Sequence, residues 1–197
     1  MDHTNDRLEV DSSSSSGKLT FVGSNETTAE FSVTGGTIGD AITTGDGDDT
    51  IIGGAGVDTL VGGGGDDVFV YNSGAADATG TSEQVTGGGG TSDKIVVSGG
   101  TTAVNFSDDT LATIEILELT TDKDGTADNN AQSLTMTDSQ VDMLTIINAN
   151  GSDTITLSDV ATSDMLTNTA NTVINGKLTF VLANTANNAL TLVDANM

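Results

Sequence analysis

Glycine and aspartate recur at fixed places between residues 35 and 70, and together they supply oxygen donors for a hard cation. Four nine-residue units run in tandem: GGTIGDAIT (35–43), TGDGDDTII (44–52), GGAGVDTLV (53–61) and GGGGDDVFV (62–70). Aspartate holds the sixth place of each unit, as Asp40, Asp49, Asp58 and Asp67. An apolar residue holds the eighth, as Ile42, Ile51, Leu60 and Phe69. A carboxylate closing a turn is one part of a calcium site, and backbone carbonyls are the other. Glycine lacks a Cβ and reaches φ > 0, so its carbonyl can turn inward and a cation can approach the chain. Gly36, Gly45, Gly47, Gly54, Gly56, Gly63 and Gly65 occupy the turn positions that would do this. Calcium takes about six to eight oxygens at roughly 2.3–2.6 Å, a number that two aspartates and several turn carbonyls provide. Magnesium demands tighter octahedral geometry and keeps its waters. Zinc prefers nitrogen and sulfur, and the chain has one His and no Cys.

Such donors need a scaffold that repeats with them. Each unit reads as a half-turn loop followed by a short strand whose eighth residue points into a core. Two units then make one coil of a solenoid, and alternate units stack. The stacking places Asp40 with Asp58 on one side, and Asp49 with Asp67 on the other. A short internal period of this kind sets the architecture. The expected fold is all-β: a calcium-binding parallel β-roll or β-solenoid, extended by further solenoid-like coils with short helical turns. A glycine-rich linker would not keep aspartate and apolar residues in phase over four units.

These residues resemble the RTX, or haemolysin-type calcium-binding, family, whose nonapeptide is G-G-x-G-x-D-x-apolar-x. GGAGVDTLV and GGGGDDVFV match every fixed place; Thr44 replaces the first glycine of its unit, and Ile38 the fourth residue of the first unit. DDVFVYNSG and TSDKIVV are similar to segments that close such rolls. The resemblance implies type I secretion, calcium-triggered folding outside the cell and an uncleaved C-terminal export signal. A weaker likeness joins LTMTDSQVDMLTIINANGSDTITLSD (134–159) to repeats of bacterial S-layer and large surface proteins.

Composition narrows the partners. The chain of 197 residues carries 29 acidic and 5 basic residues, a net charge of -24. With no cationic surface to release counterions, nucleic-acid binding is excluded, and anionic membranes are unfavourable partners. Packed carboxylates repel one another, so the chain needs cations or an extended form. Aromatics are 3%, which suits thin stacked strands more than a thick core. Without calcium, a chain so acidic and rich in Gly and Ser is expected to be disordered. No Cys means no disulfide and no thiol chemistry. The first residues, MDHTNDRLEV, have neither the basic nor the apolar region of a Sec signal, and no run approaches the ~18 apolar residues of a membrane span.

The expected organisation has five parts. Residues 1–16 form a flexible lead, 17–34 a strand pair, 35–78 the calcium-binding roll, 79–170 a β-rich extension, and 171–197 a second strand pair resembling the first. The extension contains TMTDSQVDMLT (135–145) and TLSDVATSDMLT (156–167), with a degenerate third copy near Phe106. Thr137 followed by Gln140 fits a capping box, and each copy is expected to form a short helix followed by a strand. GKLTFV occurs at 17–22 and again at 176–181. Asp93 and Asp153 keep the repeat's spacing to Ile95 and Ile155 but read as surface-turn aspartates. TDKDGTADNN (121–130) has an EF-hand-like order with Ser133 where glutamate is required, and reads as a surface turn. Glu115 and Glu118 read as the solvated side of a strand.

The sequence contains no HExxH, G-x-S-x-G or P-loop, so a non-enzymatic protein, secreted or on a bacterial cell surface, is expected. The function expected is a calcium-binding structural or surface protein, such as an S-layer, matrix or filament subunit. It would form a homo-oligomer or polymer through its strand units, without nucleic acid or membrane insertion, and any cell-surface glycan is unknown. The alternatives are an adhesin or ligand-binding module, and the RTX secretion domain of a larger secreted hydrolase.

Overall fold

A computed structural model describes residues 7–73, 82–99, 103–119, 131–149, 153–158, 173–175 and 178–182. Among the described residues, seventeen strands lie in three sheets, and all their pairings are parallel. The first sheet is ordered β1 (Arg7–Asp11), β3 (Glu30–Thr34), β5 (Thr50–Ile52), β7 (Val68–Ser73), β9 (Lys94–Gly99), β12 (Ile116–Glu118), β14 (Ile146–Asn148) and β16 (Val173–Asn175). The second runs from β2 (Thr20–Val22) through β4 (Ala41–Thr43), β6 (Thr59–Gly64) and β8 (Gln84–Gly89) to β11 (Thr110–Ala112). The third is β10 (Val104–Asn105), β13 (Ser133–Met136), β15 (Asp153–Leu157) and β17 (Leu178–Leu182).

Up to β9, consecutive strands alternate between the first two sheets, which is the winding of a β-solenoid. Ile42 stands opposite Leu60 and Leu60 opposite Val85. On the facing sheet, Val33, Ile51, Phe69 and Ile95 follow one another in register. All are buried. A three-residue strand buries only its central side chain, so each nine-residue unit sends its eighth residue into the core. Leu117, Leu134, Ile147 and Ile155 continue the core through later coils.

Beyond β9 the coil gains a third side. β10 opens the third sheet and β11 ends the second. One coil later the helix α1 (Asp138–Met143) takes the place of a strand beside β11. Its capping box is present: Gln140 N–H donates to Thr137 Oγ1 (3.2 Å), and Thr137 N–H to Gln140 Oε1 (2.8 Å). The Gln140 amide also donates to the carbonyls of Phe106 (2.6 Å) and Asp109 (3.0 Å), tying α1 to the turn before β11. Tyr71 meets Phe106 edge to face, with ring centroids 4.9 Å apart, at the junction.

Several expectations need correction. Residues 7–11 are no flexible lead but the strand β1, aligned with β3 from Arg7–Glu30 to Asp11–Thr34. The two runs in 17–34 do not pair with each other: β2 joins β4, and β3 joins β1 and β5. The same holds for β16 and β17, which lie in different sheets. In a parallel solenoid a strand's partner is one coil away, so sequence neighbours fall on different sides. The copy near Phe106 forms no helix; its residues Thr110–Ala112 pair with Gln84–Thr86 as β11. The helix expected after Ser158 and the acidic stretch 121–130 lie outside the described residues. No helix among the described residues is long and apolar enough to cross a membrane.

Candidate metal centre

The turns before the strands carry two files of buried carboxylates. Asp40 and Asp58 lie on one side and Asp49 and Asp67 on the other, each at most 2% exposed. One oxygen of each carboxylate receives a backbone N–H from the preceding coil. Leu19 N–H donates to Asp40 Oδ1 and Asp40 N–H to Asp58 Oδ1, both at 2.6 Å. On the other side, Phe31 N–H donates to Asp49 Oδ1 (2.6 Å) and Asp49 N–H to Asp67 Oδ1 (2.9 Å). A coil's corner interrupts the strand ladder and would leave these amides buried without partners. The sixth-place aspartate satisfies them.

The second carboxylate oxygen divides the four units into two kinds. Asp40 Oδ2 accepts from Gly36 N–H (2.6 Å), and Asp49 Oδ2 from Gly45 N–H (3.2 Å). Asp58 Oδ2 and Asp67 Oδ2 are buried with no hydrogen-bond partner. The difference follows the glycine conformations. In the units of Asp58 and Asp67 the second and fourth glycines are left-handed: Gly54 (φ 95°), Gly56 (121°), Gly63 (115°) and Gly65 (95°). Gly36, Gly45 and Gly47 are not among the left-handed glycines. The Gly36 and Gly45 carbonyls accept from Ala55 N–H (2.9 Å) and Gly64 N–H (2.8 Å) one coil on.

The first place of each unit lies against the sixth-place carboxylate, at Gly35 and Asp40 as in the later units. A methyl group added at Gly53 or Gly62 would run into Asp58 Oδ2 or Asp67 Oδ2. In the second unit Thr44 fills this space. Its buried hydroxyl contacts the carbonyl of Gly62, lies 3.3 Å from that of Val61, and faces the Asp49 carboxylate. Thr44 therefore occupies with its own oxygen the space that glycine leaves beside Asp58 and Asp67.

Burial raises Asp58 to a pKa of about 6, against the Asp40 N–H, which lowers it, and with the Asp40 carboxylate, which raises it. Burial raises Asp67 to about 8, with added repulsion from Asp49, Asp93 and Asp48. Asp49 is also raised, by burial first. A cation beside these oxygens would favour their ionised form. In its absence, ionisation opposes folding. Between the ordinary aspartate value of 3.8 and the folded value, the native state holds more protons than the unfolded chain. This contribution is complete below about pH 4 and is lost as pH rises through about 6 for Asp58 and about 8 for Asp67. The chelated protein is therefore expected to keep more of its β signal at about pH 5 than at about pH 8. A flat or reversed trend would contradict these environments.

Sequence reasoning missed other members of the files. Asp93 and Asp153, expected on surface turns, are 1% and 0% exposed. Asp67 N–H donates to Asp93 Oδ1 (2.8 Å) and Gln132 N–H to Asp153 Oδ1 (2.8 Å). Glu115, expected on a solvated side, is half-buried and accepts from Asp93 N–H (3.1 Å). Asp109 accepts from Glu83 N–H (2.9 Å), and burial raises it to a pKa of about 6. The available signal was aspartate two residues before an apolar residue, as in Asp93–Ile95, Asp109–Leu111 and Asp153–Ile155.

The donor set fits calcium. Among the described residues no three His, Cys, Asp or Glu side chains converge on one point. A cation held here would combine one or two carboxylates with turn carbonyls and water, a mixture suited to a flexible oxygen shell. A parallel β-roll with glycine turns and buried aspartates at its corners is a structural calcium-binding module. Residues 34–74 match the RTX calcium-binding nonapeptide repeat in four copies, and these repeats bind Ca2+. No curated protein and no solved structure matches the chain.

Proposed function

We propose that this is an extracellular structural protein, a subunit of a surface layer, matrix or filament that calcium folds and assembles. Within it, Asp58 and Asp67 hold calcium through their unpartnered oxygens together with the turns of Gly54, Gly56, Gly63 and Gly65. Bound calcium supplies the positive charge that these buried carboxylates lack.

The observation that carries the assembly reading is a repeated edge. Leu19–Val22 and Leu178–Val181 are both LTFV, and the strands that contain them, β2 and β17, are each the last strand of a sheet. Phe21 stands opposite Ile42 on the inner side of its stack, and Phe180 opposite Ile155. The other edge of each strand has no strand partner among the described residues. Val22 is 68% exposed and Val181 43%. Open parallel edges recruit further strands unless charged or covered. Joining one copy's β17 edge to the next copy's β2 edge is a heterologous contact that does not close, so it builds a filament or lattice. A net charge of -24 resists this until calcium neutralises part of it.

Light scattering after size exclusion is expected to show a monomer in chelator and growing species in millimolar calcium. Deleting residues 176–197 is expected to abolish growth. A strict monomer at high concentration in calcium would refute assembly and leave calcium binding intact.

A further inference from the structure

We propose that two copies of this chain pair face to face through the outer side of the second sheet, about a two-fold axis that runs along its middle strand, β6. The contact uses the face of the sheet and closes at two copies, so it stands apart from the edge contact that builds a filament. Outward side chains of this sheet flank the core residues Ile42, Leu60 and Val85 and fall in two rows. One row is Thr20, Ala41, Thr59, Gln84 and Thr110, and the other runs in register from Val22 to Ala112. Neither row holds a charged residue, in a chain whose net charge is -24. The turns that lead into β2, β4 and β6 add Lys18, Ile38 and Val57 and no exposed carboxylate. Exposed Asp46, Asp48 and Asp66 stand instead on the turns that leave the sheet, and Glu9 and Glu30 on the first sheet. Val22, Ile38 and Val57 are 68%, 43% and 56% exposed, so large apolar side chains gather on the side that lacks carboxylates. Like charge keeps copies apart, and a second copy approaches at least cost where that charge is missing.

The face is complementary to itself. Its strand order is β11, β8, β6, β4, β2, so β6 lies in the middle with two strands on either side. A two-fold axis along β6 keeps the strand direction and sets β2 over the partner's β11 and β4 over the partner's β8. Val57 and Thr59 then meet their own copies. Thr20 meets the partner's Thr110, and Val22 the partner's Ala112. Lys18 and Asp108 stand two places before Thr20 and Thr110, and both are exposed. The same axis therefore brings Lys18 to the partner's Asp108, and Asp108 to the partner's Lys18. The exposed carboxylate at one rim of the face is thus answered by the cation at the other. Five strands about 4.8 Å apart span roughly 20 Å. With their turns they offer less than the about 800 Å² per partner of a stable interface, so the pair is expected to dissociate on dilution.

The chain has no Cys, so single cysteines in the full chain report the contact directly. In millimolar calcium, air oxidation of Val57→Cys is expected to give a disulfide-linked dimer. Ser24→Cys, exposed on a turn that leaves the sheet, is expected to stay reduced. The linked product stops at two copies whether or not chain ends join, which separates this contact from filament growth. Adding Lys18→Glu to Val57→Cys sets two carboxylates together at each rim and is expected to abolish the crosslink. Adding Asp108→Lys as well is expected to restore it, with the same β spectrum in all these variants. Equal crosslinking of Val57→Cys and Ser24→Cys would overturn the pair and leave this face to a partner other than a second copy. Crosslinking that Lys18→Glu leaves unchanged would overturn the axis along β6.

Discussion

Stripped of calcium at neutral pH, the protein is expected to lose most of its β signal in far-ultraviolet circular dichroism, and to regain it at millimolar calcium. Ordering a residue costs about 1–2 kcal/mol of backbone entropy. The roll sets little against this cost, because each nine-residue unit buries only one or two apolar side chains, from Ile42 to Phe69 and Val70. It also hides carboxylates: Asp58 and Asp67 are each fully buried with one oxygen unsatisfied. A buried polar group without a partner costs about 1–3 kcal/mol, and more when charged. A ligand that binds only the folded state returns about 2.7 kcal/mol at a hundred times its dissociation constant. Several sites acting on one short roll multiply that effect, so the transition should be large and steep in calcium. Magnesium at the same concentration should restore little, because it keeps its waters and its octahedral shell. An unchanged spectrum and melting point in chelator would show that the roll stands without metal.

The second large effect separates aspartates that look alike in the repeat. Asp58→Asn and Asp67→Asn are expected to weaken calcium binding about tenfold or more, since each removes a full ligand charge from an oxygen that has no other partner. Asp40→Asn and Asp49→Asn are expected to stay much closer to the unmodified chain. Their second oxygens are already engaged by Gly36 N–H and Gly45 N–H. In all four variants asparagine still offers Oδ1 to the amide of the preceding coil; in Asp40→Asn and Asp49→Asn the Gly36 and Gly45 N–H groups lose their acceptor, a cost to the fold that circular dichroism in calcium measures separately from binding. Isothermal titration of the four proteins measures the contrast. Equal losses in all four would mean that the glycine conformations do not sort the sites.

Much of the architecture was legible because the roll is local and periodic. A glycine turn, an aspartate and an apolar residue recur every nine places, and that period alone puts Ile42 over Leu60 and Asp49 beside Asp67. The Thr137–Gln140 capping box was legible for the same reason, since its donors and acceptors lie three residues apart. Features that depend on what lies one coil away were not legible. The strand β1 exists because Glu30–Thr34 offers an edge to Arg7–Asp11, whose own sequence looks like a polar lead. The third sheet begins where longer coils no longer keep the nine-residue period, and Gln140 then reaches Phe106 and Asp109 across more than thirty positions. Asp93 and Glu115 look like surface acids until stacking aims a buried amide at each. The sequence by itself determined which residues can donate oxygen and at what period the chain turns. Tertiary structure decided which of those oxygens stay free for a cation. That depends on the sign of φ at Gly54 and Gly63, on the hydroxyl of Thr44 and on the coil stacked above, and none of these follows from the identity of the aspartate itself.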